Sequence, residues 1–540
     1  MTTRLRRSIG LLLVVPALIV LIWSYVWPSA WTVWASLQRL NSLTGSSGGM
    51  TTRNYAAVSS ALGSAFGFTL RLGLLPLLMV IVVAPLLALA AHRAGTRSRW
   101  ATRAVLAIPL ACYTPAGLAV AWSVDRHPEL SSPATAGTGV AVAVWLTTLG
   151  LAVAIGVTLF LAALRRRDPG RSPWPAFAVV GVLALLTVLA VSVQQFVFPE
   201  AMTAGGPANS TQTPELLILG TGFERFDIGS AAAISTVLLL ILAVFGVVAT
   251  VVLAASGARL EFDEAYRSAE DQRHLTSGRL VAIAATAAGL LIVLILTVVG
   301  LWPWLHGLFT AHATLPDGTS TASVLANTWL PPFVSTLVAV AVALLGGFGI
   351  GWLRPLGRGS LLVLLPFAPW LFVGNGVLAV RAYFAGAQSH TPNSFLGLIP
   401  PFPVVPALFV FTLLFFGLGE ATGARWWPRV LTATAPMVLL VFGATWVVQT
   451  QDTFWQLTAA TDPRHETAVV VLLTQRGQYV AQPGQIPFDL LTPVPLVVVM
   501  LLAALALQLG YLDRLAFRVG KHDLEPAPPT GGPPPPWPIR

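Results

Sequence analysis

Thr203-Ala204-Gly205-Gly206-Pro207-Ala208-Asn209-Ser210-Thr211, then Gly222-Phe223-Glu224-Arg225-Phe226-Asp227-Ile228-Gly229-Ser230, then an apolar run to residue 255: this stretch decides the fold. Gly-Gly-Pro predicts a tight turn, and Asp227-Ile228-Gly229-Ser230 supplies a carboxylate that can cap the helix after it. The run over 230–255 carries no charged side chain. Roughly 20 apolar residues cross a hydrocarbon core about 30 Å thick, so the run predicts a transmembrane helix entered from a structured turn.

The same pattern recurs along the chain. Twelve apolar spans are expected near 8–27, 65–91, 104–123, 137–163, 176–195, 230–255, 279–302, 333–353, 360–382, 399–419, 430–449 and 488–512. Of 540 residues, 55% are hydrophobic and 10% are charged. Soluble domains carry about 25% charged residues, which excludes a large soluble protein. The N-terminal Arg4-Leu5-Arg6-Arg7 and the apolar stretch from Ile9 to Trp27 exceed a signal-peptide core and predict an uncleaved first helix.

The formal charge of +10 comes from arginine, since Lys521 is the single lysine. The arginines sit in short loops between spans, where they set topology and meet anionic headgroups, so no nucleic-acid partner is expected. Arg93, Arg97, Arg99 and Arg103, then Arg165, Arg166, Arg167 and Arg171, then Arg354, Arg358, Arg425 and Arg429 mark cytoplasmic loops. Residues 304–332 hold no arginine, and 196–229 set Arg225 against Glu200, Glu215, Glu224 and Asp227. This alternation puts both termini in the cytoplasm. The mixed-charge stretch 256–278 reads as a cytoplasmic linker between two six-span halves, 1–255 and 279–522. Residues 523–540 form a Pro-rich tail expected to be disordered or PPII-like.

No catalytic or metal-ligating constellation is found. Cys112 is the one cysteine, which excludes an intrachain disulfide. Gly520-Lys521 is followed by His522, and Leu515 stands where a Walker A loop needs its first glycine, so the chain is not expected to hydrolyse ATP through a P-loop, and any primary pumping would need a partner ATPase. Two other classes are weakened. A twelve-helix secondary transporter usually has an acidic residue in the loop after its second span, and 92–99 has none. A polytopic glycosyltransferase needs carboxylates in its first external loop, and 28–64 has none.

The stretch from Thr203 resembles the F-type permease subunit of maltose-class (carbohydrate uptake) ABC importers, through Gly205, Gly206, Pro207, Asn209 and Thr211 and the Phe226-Asp227-Ile228-Gly229 helix entry. Arg53-Asn54-Tyr55, Arg103, Pro109, Pro115 and Trp122 follow the same family order. The second half is similar to the G-type partner. The carriers are Thr391-Pro392-Asn393-Ser394-Phe395-Leu396-Gly397-Leu398, then Gln451-Asp452-Thr453-Phe454-Trp455-Gln456-Leu457, and Arg514 to Lys521.

The resemblance implies two type I permease domains in one chain at the bacterial inner membrane. It also implies two copies of a partner ATPase carrying ATP and Mg, an extracytoplasmic solute-binding protein, and a sugar or polyol as substrate. This chain itself would hold no cofactor. The family's ATPase-coupling loops map onto Asp168, Gly170, Arg171 and Phe177 in the first half and Glu420, Gly423, Ala424 and Pro436 in the second. Both are degenerate: the first is basic, Thr422 replaces the acidic residue, and Gly417 stands at the leading Glu position. Polar residues inside spans are costly and often functional, which makes Gln194, Gln195, Asn375, Gln449, Gln451 and Asp452 pathway candidates. By the resemblance, Trp446 or Trp455 would stack on the sugar. Arg71 and Arg381 lie near span ends and can snorkel outward.

Overall fold

The computed structural model describes residues 3–41, 43, 45–46, 49–165, 172–262, 277–310, 319–389, 394–419, 426–460, 462 and 465–520. The coupling-loop residues Asp168, Gly170, Arg171, Glu420, Gly423 and Ala424, most of the linker and the Pro-rich tail lie outside them.

In chain order the main elements are α1 (Arg4–Ser36), α2 (Arg53–Ala94), α3 (Thr96–Ala111), α4 (Pro115–Asp125), α5 (Pro133–Leu164), α6 (Trp174–Thr203), α7 (Pro214–Ile218) and α8 (Ile228–Ser256). Strand β1 (Arg259–Phe262) follows, then α9 (Ser277–Thr310), α10 (Thr321–Trp352), α11 (Gly359–Trp370) and α12 (Asn375–Ser389). The chain continues through α13 (Val404–Leu418), α14 (Trp426–Thr450), α15 (Thr453–Ala459), α16 (Val494–Arg514) and strand β2 (Leu515–Arg518).

Nine of the described helices are long and apolar enough to cross a bilayer, or up to eleven crossings if each of two bent pairs forms one span. The chain is an all-α polytopic membrane protein. α8 shows why. Leu240, Val244, Val247, Val248 and Val251 form an exposed apolar stripe at helical spacing, while Leu238, Leu242, Gly246, Ala249 and Leu253 are buried. A stripe of this kind is costly in water and natural against lipid.

Three expected spans differ in form. The run 104–123 is two helices, α3 and α4, meeting at 74°. Pro115 starts α4, and a residue before proline is pushed out of the α region, so Thr114 is non-helical. The run 360–382 is likewise α11 and α12 at 63°, with α11 wound as a 3₁₀ helix that contains Pro366 and Pro369. The run 399–419 contracts to α13, 15 residues long, because Pro400, Pro401 and Pro403 hold its start out of the helix.

The linker also differs at its start. Rather than loop, Arg259–Phe262 forms β1, antiparallel to β2 with Arg259 opposite Arg518 and Phe262 opposite Leu515. This pairing fastens the segment after α8 to the segment after α16. Beside it, Arg99, Arg103, Arg165, His92 and Asp513 line one water-sized cavity. Arg-rich stretches far apart in sequence are thus gathered at one end of the bundle.

Candidate functional site

The polar residues of the spans converge where α6 and α7 meet α12, α14 and α15. α6 breaks at 194–196, and Gln194 lies at that break. Its amide reaches across to the bend between α11 and α12: Nε2 donates to Phe372 O at 2.9 Å, and Gly374 N donates to Oε1 at 2.7 Å. The backbone freed by the bend is therefore satisfied by a side chain from the other half of the chain. Gln195 sits half-buried beside it.

Asn375 opens α12 at this bend. Its Nδ2 donates to Gln449 Oε1 at 3.0 Å and to Asp452 Oδ2 at 2.5 Å. The other oxygen of Asp452 accepts from Trp455 N at 3.1 Å, so Asp452 caps α15. Gln451 is 2% exposed, and neither amide atom has a hydrogen-bond partner among the described residues.

Asn375, Gln449 and Asp452 therefore form one connected group, with Gln194 one residue away on the same bend. Asp452→Ala removes both the cap and the Asn375 acceptor, and a lost cap typically costs about 1–2 kcal/mol. Asp452→Asn retains a capping oxygen. The expected thermal midpoint of Asp452→Ala is below that of Asp452→Asn; equal midpoints would contradict this role.

One residue of this site escapes a sequence reading. Glu215, in α7, is 5% exposed, and no described residue donates a hydrogen bond to its carboxylate. A Cβ on Gly376 would lie 2.7 Å from Glu215 Oε1, so the glycine leaves room for the carboxylate at this place. In the sequence Glu215 is one of several acidic residues in an arginine-poor loop. Its unusual position is created only by packing against Gly376.

The turn at 203–211 is built from strained backbone. Ala204, Gly205, Gly206, Ala208 and Asn209 all have positive φ. Thr211 N donates to Gly205 O at 2.9 Å, and the hydroxyls of Thr203 and Thr211 are 2.7 Å apart. A Cβ on Gly206 would meet Thr211 Oγ1 at 2.5 Å, which with its φ of +81° requires glycine. Pro207 starts the short turn that follows. Asp227 accepts from Ser230 N at 3.1 Å at the head of α8.

Other candidates are placed apart from the polar group. Phe177 packs on Phe160, with ring centroids 4.6 Å apart, and Pro436 lies inside α14. Trp446 is held by aromatic neighbours Trp329, Phe333 and Phe442, and its indole N–H donates to Trp329 O at 3.0 Å. The Trp455 indole nitrogen is buried without a hydrogen-bond partner among the described residues. Arg71 donates to Thr138, and the Arg381 guanidinium lies 5.3 Å from the Trp31 ring centroid. No group of three or more His, Cys, Asp or Glu side chains able to hold a metal occurs among the described residues. No protein-family model matches the chain, and no curated protein matches it.

Proposed function

We propose that this chain is the membrane-spanning permease of a binding-protein-dependent ABC importer, with an F-like domain over 1–255 and a G-like domain over 279–522. In this reading both bent pairs and α13 complete two sets of six spans, and both termini are cytoplasmic. A carbohydrate or polyol crosses between the halves, while a separate ATPase, bound in two copies, drives alternating access.

One observation carries the reading: Gln194 at the break in α6 and Asn375, Gln449 and Asp452 meet in the interior around the bend between α11 and α12. Broken helices at membrane depth are tolerated where they are buried in protein or line a pathway. Polar groups placed there can exchange hydrogen bonds with a hydroxylated solute. The external turn at 203–211 and the gathered arginines at the opposite end suit a binding protein outside and an ATPase inside.

The reading predicts that, in the reconstituted complex, solute-loaded binding protein stimulates ATP hydrolysis severalfold over the basal rate. A flat response would sink the coupled importer. A second reading, a twelve-helix secondary transporter, is favoured by the buried Glu215, since unpaired carboxylates at membrane depth commonly mark ion relays. Solute uptake in vesicles without ATP would select that reading over the importer.

A further inference from the structure

Glu215 is contributed by α7 of the first half and Asp452 by the start of α15 in the second. The peptide carrying Asn375 and Gly376 joins them: Asn375 donates to Asp452, and the adjoining Gly376 lies against Glu215 Oε1. Asp452 has hydrogen bonds for both oxygens. Glu215 is at least nine-tenths buried, faces this group, and has no hydrogen-bond partner among the described residues. Burying a carboxylate is expensive unless a positive charge or a proton answers it.

Among the described residues no arginine supplies that charge. The ion pairs of Arg99, Arg103, Arg259 and Arg476 are made with Asp513, Glu261 and Glu200, and none with Glu215 or Asp452. An aromatic wall borders the same seam. Phe223 of the first half is 4.5 Å from Tyr383 and 5.8 Å from Phe454, centroid to centroid, and Tyr383 lies two turns beyond Gly376 on α12. Two buried carboxylates presented to one interior position are a donor set for an ammonium or another monovalent cation.

We infer that Glu215 and Asp452, presented across Asn375-Gly376, form a site for a single positive charge in the solute pathway. The charge is either the ammonium of an amino-substituted polyol or a free alkali cation that travels with the solute. The inference rests on the pathway lying between the two halves, but it does not require a working ATPase.

The test uses the purified full-length chain in lipid nanodiscs, with thermal unfolding followed by tryptophan fluorescence. The probes are glucosamine, its neutral counterpart N-acetylglucosamine, and sodium chloride against choline chloride at equal ionic strength. A ligand that binds the folded chain raises the midpoint. Glucosamine raising it while N-acetylglucosamine does not identifies the ammonium source; sodium raising it without glucosamine identifies the free cation. In either case Glu215→Gln, which keeps the volume and removes the charge, is expected to weaken the response about tenfold or more.

Because a buried unpaired carboxylate is costly, Glu215→Gln is expected to unfold at or above the wild-type midpoint. If that variant does not fold, Asp452→Asn, which retains the cap, replaces it. The inference is overturned if neither cation shifts the midpoint, or if the Gln variant responds as the wild type does. Failure to find an ATPase leaves this result unaffected, so the two ideas fail separately.

Discussion

Asp513→Asn is expected to be among the most destabilising single substitutions in the chain. The Asp513 carboxylate sits 2.9 Å from Arg99 Nε and 3.4 Å from Arg103 Nε, and Trp100 Nε1 donates to its other oxygen at 3.0 Å. The side chains of Arg99, Arg103 and Asp513 are 9%, 2% and 10% exposed. Arg103 also donates to Gln508 Oε1 at 2.8 Å, and Gln508 in turn donates to Thr158. The carboxylate is thus the anionic centre of a buried network that ties α16 to α3 and α5. Breaking a buried pair from one side costs about 3–5 kcal/mol, because the opposite charge remains desolvated.

A neighbouring pair gives the contrast. Glu261 lies between Arg259 and Arg518, but its side chain is 18% exposed, and Arg259 keeps a 2.8 Å bond to Gly520 O when the carboxylate is lost. Glu261→Gln is expected to cost less than Asp513→Asn. Thermal midpoints of the two variants in the same detergent check the order. Equal midpoints would show that the Arg99–Asp513–Arg103 group is solvated and unimportant.

Gly417→Glu carries the second large effect. The importer pattern places a glutamate at this position, so the change makes the chain more family-like in sequence. The packing forbids it. Gly417 lies within α13, and a Cβ there would fall 1.9 Å from the backbone oxygen of Leu260 in β1. That neighbour is main chain and cannot swing aside. Ordinary overpacking costs about 1–3 kcal/mol, and here either β1 must leave α13 or the β1–β2 pairing must give way. The expected result is a lower yield of folded chain and a lower midpoint, with no gain in ATPase stimulation. A normal midpoint would show that β1 does not lie on α13.

Packing thus requires glycine rather than glutamate at 417. Gly417 belongs to a helix sealed by a strand from the linker, so the residue answers to packing there. The resemblance alone could not show this, because β1 is brought to α13 by its pairing with β2, more than 250 residues later in the chain.

The positions of the apolar elements were legible in the sequence because a bilayer demands long uncharged runs, and runs such as 137–163 and 230–255 show little else. The bends were not legible. The apolar pattern continues unbroken through Cys112 and through Leu371, and the break in the second case is stabilised by Gln194 from another part of the chain. Asn375, Gln449 and Asp452 could be singled out because polar side chains at membrane depth are rare. Glu215 could not, because its loop holds Glu200, Glu224 and Asp227 as well, and only the contact with Gly376 distinguishes it.

The proposed function makes this chain a permease driven by a separate ATPase. Mild solubilisation of native membranes and affinity capture of the full-length chain, followed by mass spectrometry of the bound subunits, tests it most directly. The expected result is an ABC ATPase recovered at two copies per chain, with no second permease subunit. Recovery of the intact chain with no ATPase would contradict it.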